Sequence, residues 1–451
     1  MKNFKLKKDN FISFTIFSVF IPIIVFGRSF MGVNLLGFRF GELLVAFGLF
    51  FSIFIFFYKN FFESFLGKKA TLSIILIFIS TYISILFRNN LDLNFYNFKS
   101  SSYIWLLSYI LLALIFNKYI LINLNFLFIL NISLFFTYFI SVIYYPKVFI
   151  NFFTSYSDKF DYLKASDILI VFILTNILNN RYLTDKFSNT FEYFIILSSI
   201  FFPLFIYKSR GAALAFSIYF ILEIYNFRNL FKFKFIKVLS LIVICLILFY
   251  ISVFLITDQQ IEYDEVILNS DLLETILDNK NTSIDSLFSI YIITDIDELK
   301  SFELLDNGRL FSTDGNINFR LQIWQDVLID SFENLRFLIG VGYNEKIPAM
   351  LNPLYVGTDG TNEYVHNYFV NIYARGGLIQ LVLFLYFFIS IIKPSNIKIK
   401  KNMLFTFIFP NLVVSFFDSS MSSAQFPTIF FFFIGCALVK IEEEVNIKKE
   451  N

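Results

Sequence analysis

The chain is predicted to be an all-α integral membrane protein of about twelve transmembrane helices, and three observations carry that expectation. Hydrophobic residues make up 57% of the 451 positions and charged residues only 16%, against roughly 45–50% and about 25% in soluble domains. The surplus is aromatic and aliphatic and lies in long runs. Lys and Arg collect in turns between alternate runs, as they do in cytoplasmic loops. Composition excludes a soluble enzyme, a disordered tail and a disulfide-stapled secreted module.

Each span follows from length against bilayer thickness. About 20 apolar residues cross the hydrocarbon core, with a range of about 17–25. Such runs fall near 11–27, 41–58, 70–87, 102–116, 119–143, 166–179, 191–207, 211–226, 238–256, 376–393, 402–418 and 427–439. Several are short by that rule, 166–179 and 427–439 above all. No small-residue cleavage site follows the basic start and the first run, so no cleavable signal peptide is read.

The basic turns set the orientation. Lys2, Lys5, Lys7 and Lys8 precede the first span; Lys59, Lys68 and Lys69 follow the second. Arg228, Lys232, Lys234 and Lys237 follow the eighth, Lys393, Lys398, Lys400 and Lys401 the tenth, and Lys440, Lys448 and Lys449 the last. All fall on one side if twelve spans leave both termini in the cytoplasm; one missed span would put later clusters outside.

The chain then divides into an N-terminal membrane bundle over 1–256 (about nine helices), an extracytoplasmic loop subdomain over 257–375, C-terminal membrane helices over 376–439 and a cytoplasmic tail over 440–451. Residues 257–366 hold 20 Asp and Glu against 6 Lys and Arg, a balance of −14. The simplest reading is a solvated outer face. Glu262–Leu277 and Arg320–Ile329 space their apolar residues as helices do and are expected to lie along the membrane surface. Net charge is +2, so bulk electrostatics names no partner, and no basic patch points to nucleic acid. Cys245 and Cys436 lie inside apolar runs and read as inert thiols.

Three places combine costly residues with special backbone. Lys208-Ser209-Arg210-Gly211 falls at the outer membrane–water boundary between the seventh and eighth spans. It reads either as a snorkelling arginine that ends a helix or as an anion clamp, in which a planar guanidinium and a helix start meet phosphate oxygens. Asn318-Phe319-Arg320-Leu321-Gln322-Ile323-Trp324 precedes Gly340-Val341-Gly342. Arg320 and Trp324 share a helix face, as a local brace or as site residues, and the glycine pair marks a close backbone approach. Val365-His366-Asn367-Tyr368-Phe369 leads to Arg375-Gly376-Gly377-Leu378 at the tenth span.

His366 is the chain's single histidine. A lone histidine is most often structural, yet this one falls on the same outer side as Arg210, and a neutral imidazole is a ready general base. No second histidine and no cysteine cluster completes a metal site. Asp295-Ile296-Asp297 has the spacing of a nucleotide-sugar metal motif, but in so acidic a loop, facing away from cytosolic nucleotide sugars, the pair carries little weight.

Taken in order, Ser209-Arg210-Gly211, Arg320 with Trp324, Gly340-Val341-Gly342, and His366-Asn367 with Gly377-Leu378 resemble the O-antigen ligase/polymerase family, polytopic glycosyltransferases of the bacterial envelope. The resemblance covers roughly residues 200–380; the stretch from Asp418 to Pro427 is similar to the family's closing outer loop, and the N-terminal third is similar only in hydropathy.

What the resemblance implies is concrete. The donor is a glycan on undecaprenyl diphosphate in the outer leaflet of the cytoplasmic membrane. The acceptor is a hydroxyl of lipid A core (ligase) or of another lipid-linked glycan (polymerase), and the motifs do not separate the two. No metal and no cofactor is expected. Arg210, Arg320 and His366 take the catalytic positions, and Ser209, Gly211, Trp324, Gly340, Gly342, Asn367 and Arg375 the substrate-binding ones. The sequence departs from the family's pattern at Arg375, which reads as a third diphosphate contact or a lipid headgroup anchor.

The residue chemistry points the same way. A diphosphate leaves well when its growing charge is met, and two fixed guanidinium forks do this without a bound ion. The competing class is a transporter or flippase, for which twelve spans with both termini inside is a common layout. Carriers show internal repeats and a mid-membrane site; here no repeat is found, and the informative residues gather at one surface. Glu42, Asn123, Asn125 and Asn131 within the spans read as helix-packing groups rather than a path.

Overall fold

A computed structural model describes residues 2–88, 95–116, 124–183, 190–227, 235–268, 302–304, 308–312, 315–352, 355, 363, 365–392 and 398–450. Helices dominate, because a chain in hydrocarbon must satisfy its own backbone and a helix does so within one segment. In order come α1 (Lys2–Met31), a hairpin of β1 (Asn34–Leu35) and β2 (Phe38–Arg39), α2 (Phe40–Phe57), α3 (Lys59–Leu66), α4 (Lys68–Arg88), α5 (Phe95–Ser100), α6 (Ser102–Trp105), α7 (Tyr109–Ile115) and α8 (Leu124–Tyr138). Then follow α9 (Lys147–Tyr156), α10 (Ala165–Leu183), α11 (Thr190–Lys208), α12 (Arg210–Phe227) and α13 (Phe235–Leu268). A second antiparallel hairpin, β3 (Phe302–Leu304) and β4 (Leu310–Ser312), leads to α14 (Gly315–Glu333), α15 (Tyr368–Ile392), α16 (Lys398–Phe417) and α17 (Gln425–Glu450).

Among the described residues, seven helices are long and apolar enough to cross a membrane: Ser13–Met31, Phe40–Phe57, Lys68–Leu86, Leu124–Ile143, Thr190–Lys208, Val238–Thr257 and Tyr368–Ile392. Four apolar stretches are shorter, Ser102–Ile115, Ala165–Asn180, Met403–Phe417 and Gln425–Val439. Ser102–Ile115, Ala165–Asn180 and Gln425–Val439 are almost wholly buried against other helices, so protein rather than lipid surrounds them and bilayer thickness does not dictate their length. The eighth expected run is α12, which carries Arg210 at its start and Glu223 near its end.

At the other extreme is α13. Only 11% of Val238–Thr257 is buried, and Leu246, Tyr250 and Phe254 stand exposed on it. An apolar face of that length is stable only where hydrocarbon covers it. The chain is a multi-pass membrane protein. Its main helix pairs are α11 with α13, α7 with α17, α4 with α15 and α12 with α16.

The expected helix at 320–329 lies inside α14. The one expected from Glu262 is the continuation of α13 as far as Leu268; its remainder, and the Asp295–Asp297 pair, lie outside the described residues. A small apolar cluster, with Ile323, Val327, Ile347, Met350, Val365 and Ala374, packs α14 onto the approach to α15.

Candidate active site

The groundwork is a backbone clasp. α15 breaks its helical path at Gly377 (φ 66°, ψ −170°). The break leaves two carbonyls and two amides of the helix without their usual partners. The segment 337–342 takes all four. Val341 N donates to Ala374 O (2.7 Å), Gly342 N to Arg375 O (2.8 Å), Leu378 N to Phe337 O (2.8 Å) and Ile379 N to Leu338 O (3.2 Å). Both glycines are required by this approach. Gly340 (φ 65°) would place a Cβ 2.5 Å from the Arg375 carbonyl, and a Cβ on Gly377 would overlap the Leu338 carbonyl.

Arg375 completes the clasp. It is 4% exposed and donates to Gly342 O (3.1 Å), Glu345 O (2.8 Å) and Tyr96 Oη (2.9 Å). The guanidinium holds the loop to the helix, a role different from both the diphosphate contact and the headgroup anchor expected of it. Gly340 and Gly342 serve the same lock.

Upon this lock, distant motifs meet at Phe417–Asp418, the end of α16. Arg320, in the second turn of α14, donates from its guanidinium to the Phe417 carbonyl oxygen. Trp324, one turn on, donates Nε1–H to Val365 O (2.8 Å) and sets its ring edge-on to Phe416, centroids 5.5 Å apart. Gly211 lies so close to Phe417 that a Cβ would come 2.5 Å from the phenylalanine's Cβ. That contact brings the start of α12 to the same place. Ser209 caps that start, its Oγ accepting from Ala212 N (3.3 Å), and Arg210 stands exposed at the first helical position. Asp418 accepts from Ser166 Oγ (2.7 Å) in the first turn of α10.

His366 lies just before α15 with φ 52°, a left-handed conformation unusual for a non-glycine residue and found where the surroundings impose it. The next residue explains the constraint: Asn367 is the buried N-cap, its Oδ1 accepting from Phe369 N (2.9 Å) and Val370 N (3.1 Å). The imidazole lies edge-on to Phe319, 6.0 Å between centroids. Burial pushes its pKa down to about 4, helped by the nearby charges of Arg320 and Lys164 and opposed by Asp418. The ring is therefore neutral at pH 7.

Four helix starts gather here. α10 arrives through Ser166, α12 through Gly211 and α15 through His366; α17 arrives through Gln425, whose Nε2 lies 3.3 Å from Asp167 Oδ2. Helix N-termini carry partial positive charge and free amides. With Arg320 and Lys164 beside them, this surface favours an anion. It brings together His366, Arg320, Trp324, Ser209, Arg210, Gly211 and Asn367; Gly340, Gly342 and Arg375 stand behind it as scaffold.

Two residues here escaped the motif reading. Asp418 is the first residue of the stretch similar to the family's closing loop, but nothing local links it to a histidine 52 positions away. Lys164 had a signal: a lysine directly before a helix start opposes the helix dipole and breaks the pattern that puts basic residues at the other ends. Among the described residues no group of three or more His, Cys, Asp and Glu converges.

Residues 194–385 match the family model described as O-antigen ligase. The match runs from the second turn of α11 into α15, so it takes in Arg210, Arg320 and His366 and leaves Lys164 and Asp418 outside. No curated protein matches the chain.

Proposed function

We propose that this chain, a member of the O-antigen ligase family through residues 194–385, transfers a glycan from undecaprenyl diphosphate to a sugar hydroxyl at the outer face of the cytoplasmic membrane. The observation that carries the reading is the convergence of a neutral imidazole and fixed cations on one turn, with His366, Arg320 and Lys164 around Phe417–Asp418. Neutral base and anion-binding surface are the two things such a transfer needs.

In the reaction, the acceptor hydroxyl gives its proton to His366 as its oxygen attacks the anomeric carbon of the donor sugar. The bond from that carbon to the diphosphate oxygen breaks, and the electron pair leaves with the carrier. Arg320 and Arg210 offset the charge that grows on the leaving group, an effect that is large in a water-poor site. General-base assistance is worth about 10²–10⁴-fold. A single displacement inverts the anomeric configuration. An imidazole held near pH 4 is a weak base; burial is the main cause, and a bound diphosphate offsets the further part that Arg320 and Lys164 add. Donor binding therefore raises the proton affinity of His366 when it is needed.

Ligation and polymerisation share this chemistry and differ in the acceptor. The test is the envelope glycan profile of a deletion strain complemented with the wild-type gene or with His366→Ala. Long chains that accumulate on the carrier and never reach the surface identify a ligase; single repeats at the surface identify a polymerase. A wild-type ladder restored by His366→Ala would remove the base and with it the proposal.

A further inference from the structure

The segment 157–164 (Ser-Asp-Lys-Phe-Asp-Tyr-Leu-Lys) joins α9 to α10 and is held at many points. Ser157 forms a bridge with Val33. Ser29 Oγ donates to Asp161 O (2.6 Å) and accepts from Asp161 N (3.0 Å). Arg28 Nη1 lies 3.2 Å from Asp161 Oδ2, and Arg39 Nε donates to Asp158 Oδ2 (2.6 Å). From the other side, Lys208 Nζ donates to Leu163 O (3.1 Å). A Cβ on Gly32 would lie 2.8 Å from Lys159 Cβ, so Lys159 is seated against the junction of α1 and β1. So much fixation of a connecting segment is characteristic of a built surface.

The segment carries two cations, and they differ from four cations nearby. Arg28 is paired with Asp161, and Arg39 with Asp158 and Glu42. Lys99 and Lys346 share Glu363 at 2.8 and 3.2 Å. Lys159 and Lys164 form no ion pair with a carboxylate among the described residues. Lys164 belongs to the surroundings of His366. Lys159 is half-buried among Arg39, Arg28 and Lys99; burial and then these charges lower its pKa despite Asp158. A partly desolvated ammonium among like charges is stabilised by an anion. Four residues separate the two lysines, a span of at most about 18 Å.

We propose that Lys159, flanked by Arg28 and Arg39, is an acceptor-side anion subsite that binds a carboxylate or phosphate on the acceptor glycan while the reacting hydroxyl lies at His366. The inference rests on the transfer reading above and narrows it to an acidic acceptor. The same chemistry on a lipid headgroup is the competing source, and the experiment separates the two.

Full-length protein in neutral phosphatidylcholine nanodiscs is titrated with a trisaccharide carrying one glucuronic acid and with its methyl ester. The two probes differ in charge and little in shape. The subsite predicts about tenfold tighter binding of the acid, the size of one charge-assisted contact. Lys159→Gln should bring the ratio to about one, and Lys159→Arg should keep it. Equal binding of acid and ester by the wild type, or a preference that survives Lys159→Gln, overturns the proposal. So does a preference abolished when phosphatidylglycerol is added, since a headgroup then occupies the place. Turnover is not needed for this readout. An intact preference in a chain that transfers no glycan would sink the transferase reading and support the subsite.

Discussion

Replacing Gly377 with alanine tests whether the clasp builds the site. The backbone at 377 has φ 66° and ψ −170°, a region that only glycine enters freely, and a side chain there costs of order 1–3 kcal/mol. The added Cβ also overlaps the Leu338 carbonyl, so 337–342 must withdraw. Four backbone hydrogen bonds depend on that segment, each worth about 0.5–1.5 kcal/mol net. Even partial opening therefore brings the loss to about 3 kcal/mol or more. Gly67 is the control, with φ 81° and nothing within 4 Å of a Cβ; Gly67→Ala meets the same backbone strain alone, about 1–3 kcal/mol. Unfolding of purified protein in detergent, read beside transfer activity, should rank Gly377→Ala well below Gly67→Ala and show activity falling with it. If Gly377→Ala is no worse than the control, the clasp does not organise the site.

Three further outcomes follow from named contacts. Arg320→Lys keeps a charge but loses the fork that reaches both the Phe417 carbonyl and a diphosphate; kcat should fall about 10²–10³-fold with the unfolding midpoint nearly unchanged, and a fall of less than threefold would remove Arg320 from the leaving-group contact. With His366 held near pH 4, the base is lost only as pH drops through that value. The acid limb of kcat/KM should therefore fall near pH 4 rather than 6.5, and that of kcat, reporting the donor complex, at higher pH; limbs near 6.5 in both would contradict the burial argument. Asn367→Ala removes the cap of α15 and should cost about 0.5–2 kcal/mol in the same unfolding assay, whereas Asn367→Asp should cost less.

The long membrane helices were legible because lipid imposes one simple constraint, enough apolar residues in a row. It weakens in the interior: Ala165–Asn180 and Gln425–Val439 contact protein, and their shortness carries no penalty. The ordered motifs singled out Arg210, Arg320 and His366 as candidates, and the spacing of Arg320 and Trp324 placed those two on one helix face. Which arginine holds the loop could not be read, because burial decides it: Arg375 looks like a ligand residue until Gly342 O, Glu345 O and Tyr96 Oη are seen around it. Asp418 and Lys164 stayed hidden because their meeting with His366 is made by the packing of α10, α15 and α16, which no local pattern encodes. Gly340-Val341-Gly342 was legible as a close approach, but what approaches, the broken turn of α15, was not.

The measurement closest to the central claim is glycan transfer by the purified chain, from an undecaprenyl-diphosphate-linked donor, with EDTA present and the product's anomeric configuration determined. Arginine charge and a neutral His366 predict an undiminished rate, an inverted linkage, and loss of turnover in His366→Ala. A rate that collapses in EDTA and returns with Mg²⁺ would show that a metal, and not the guanidinium groups, carries the leaving diphosphate.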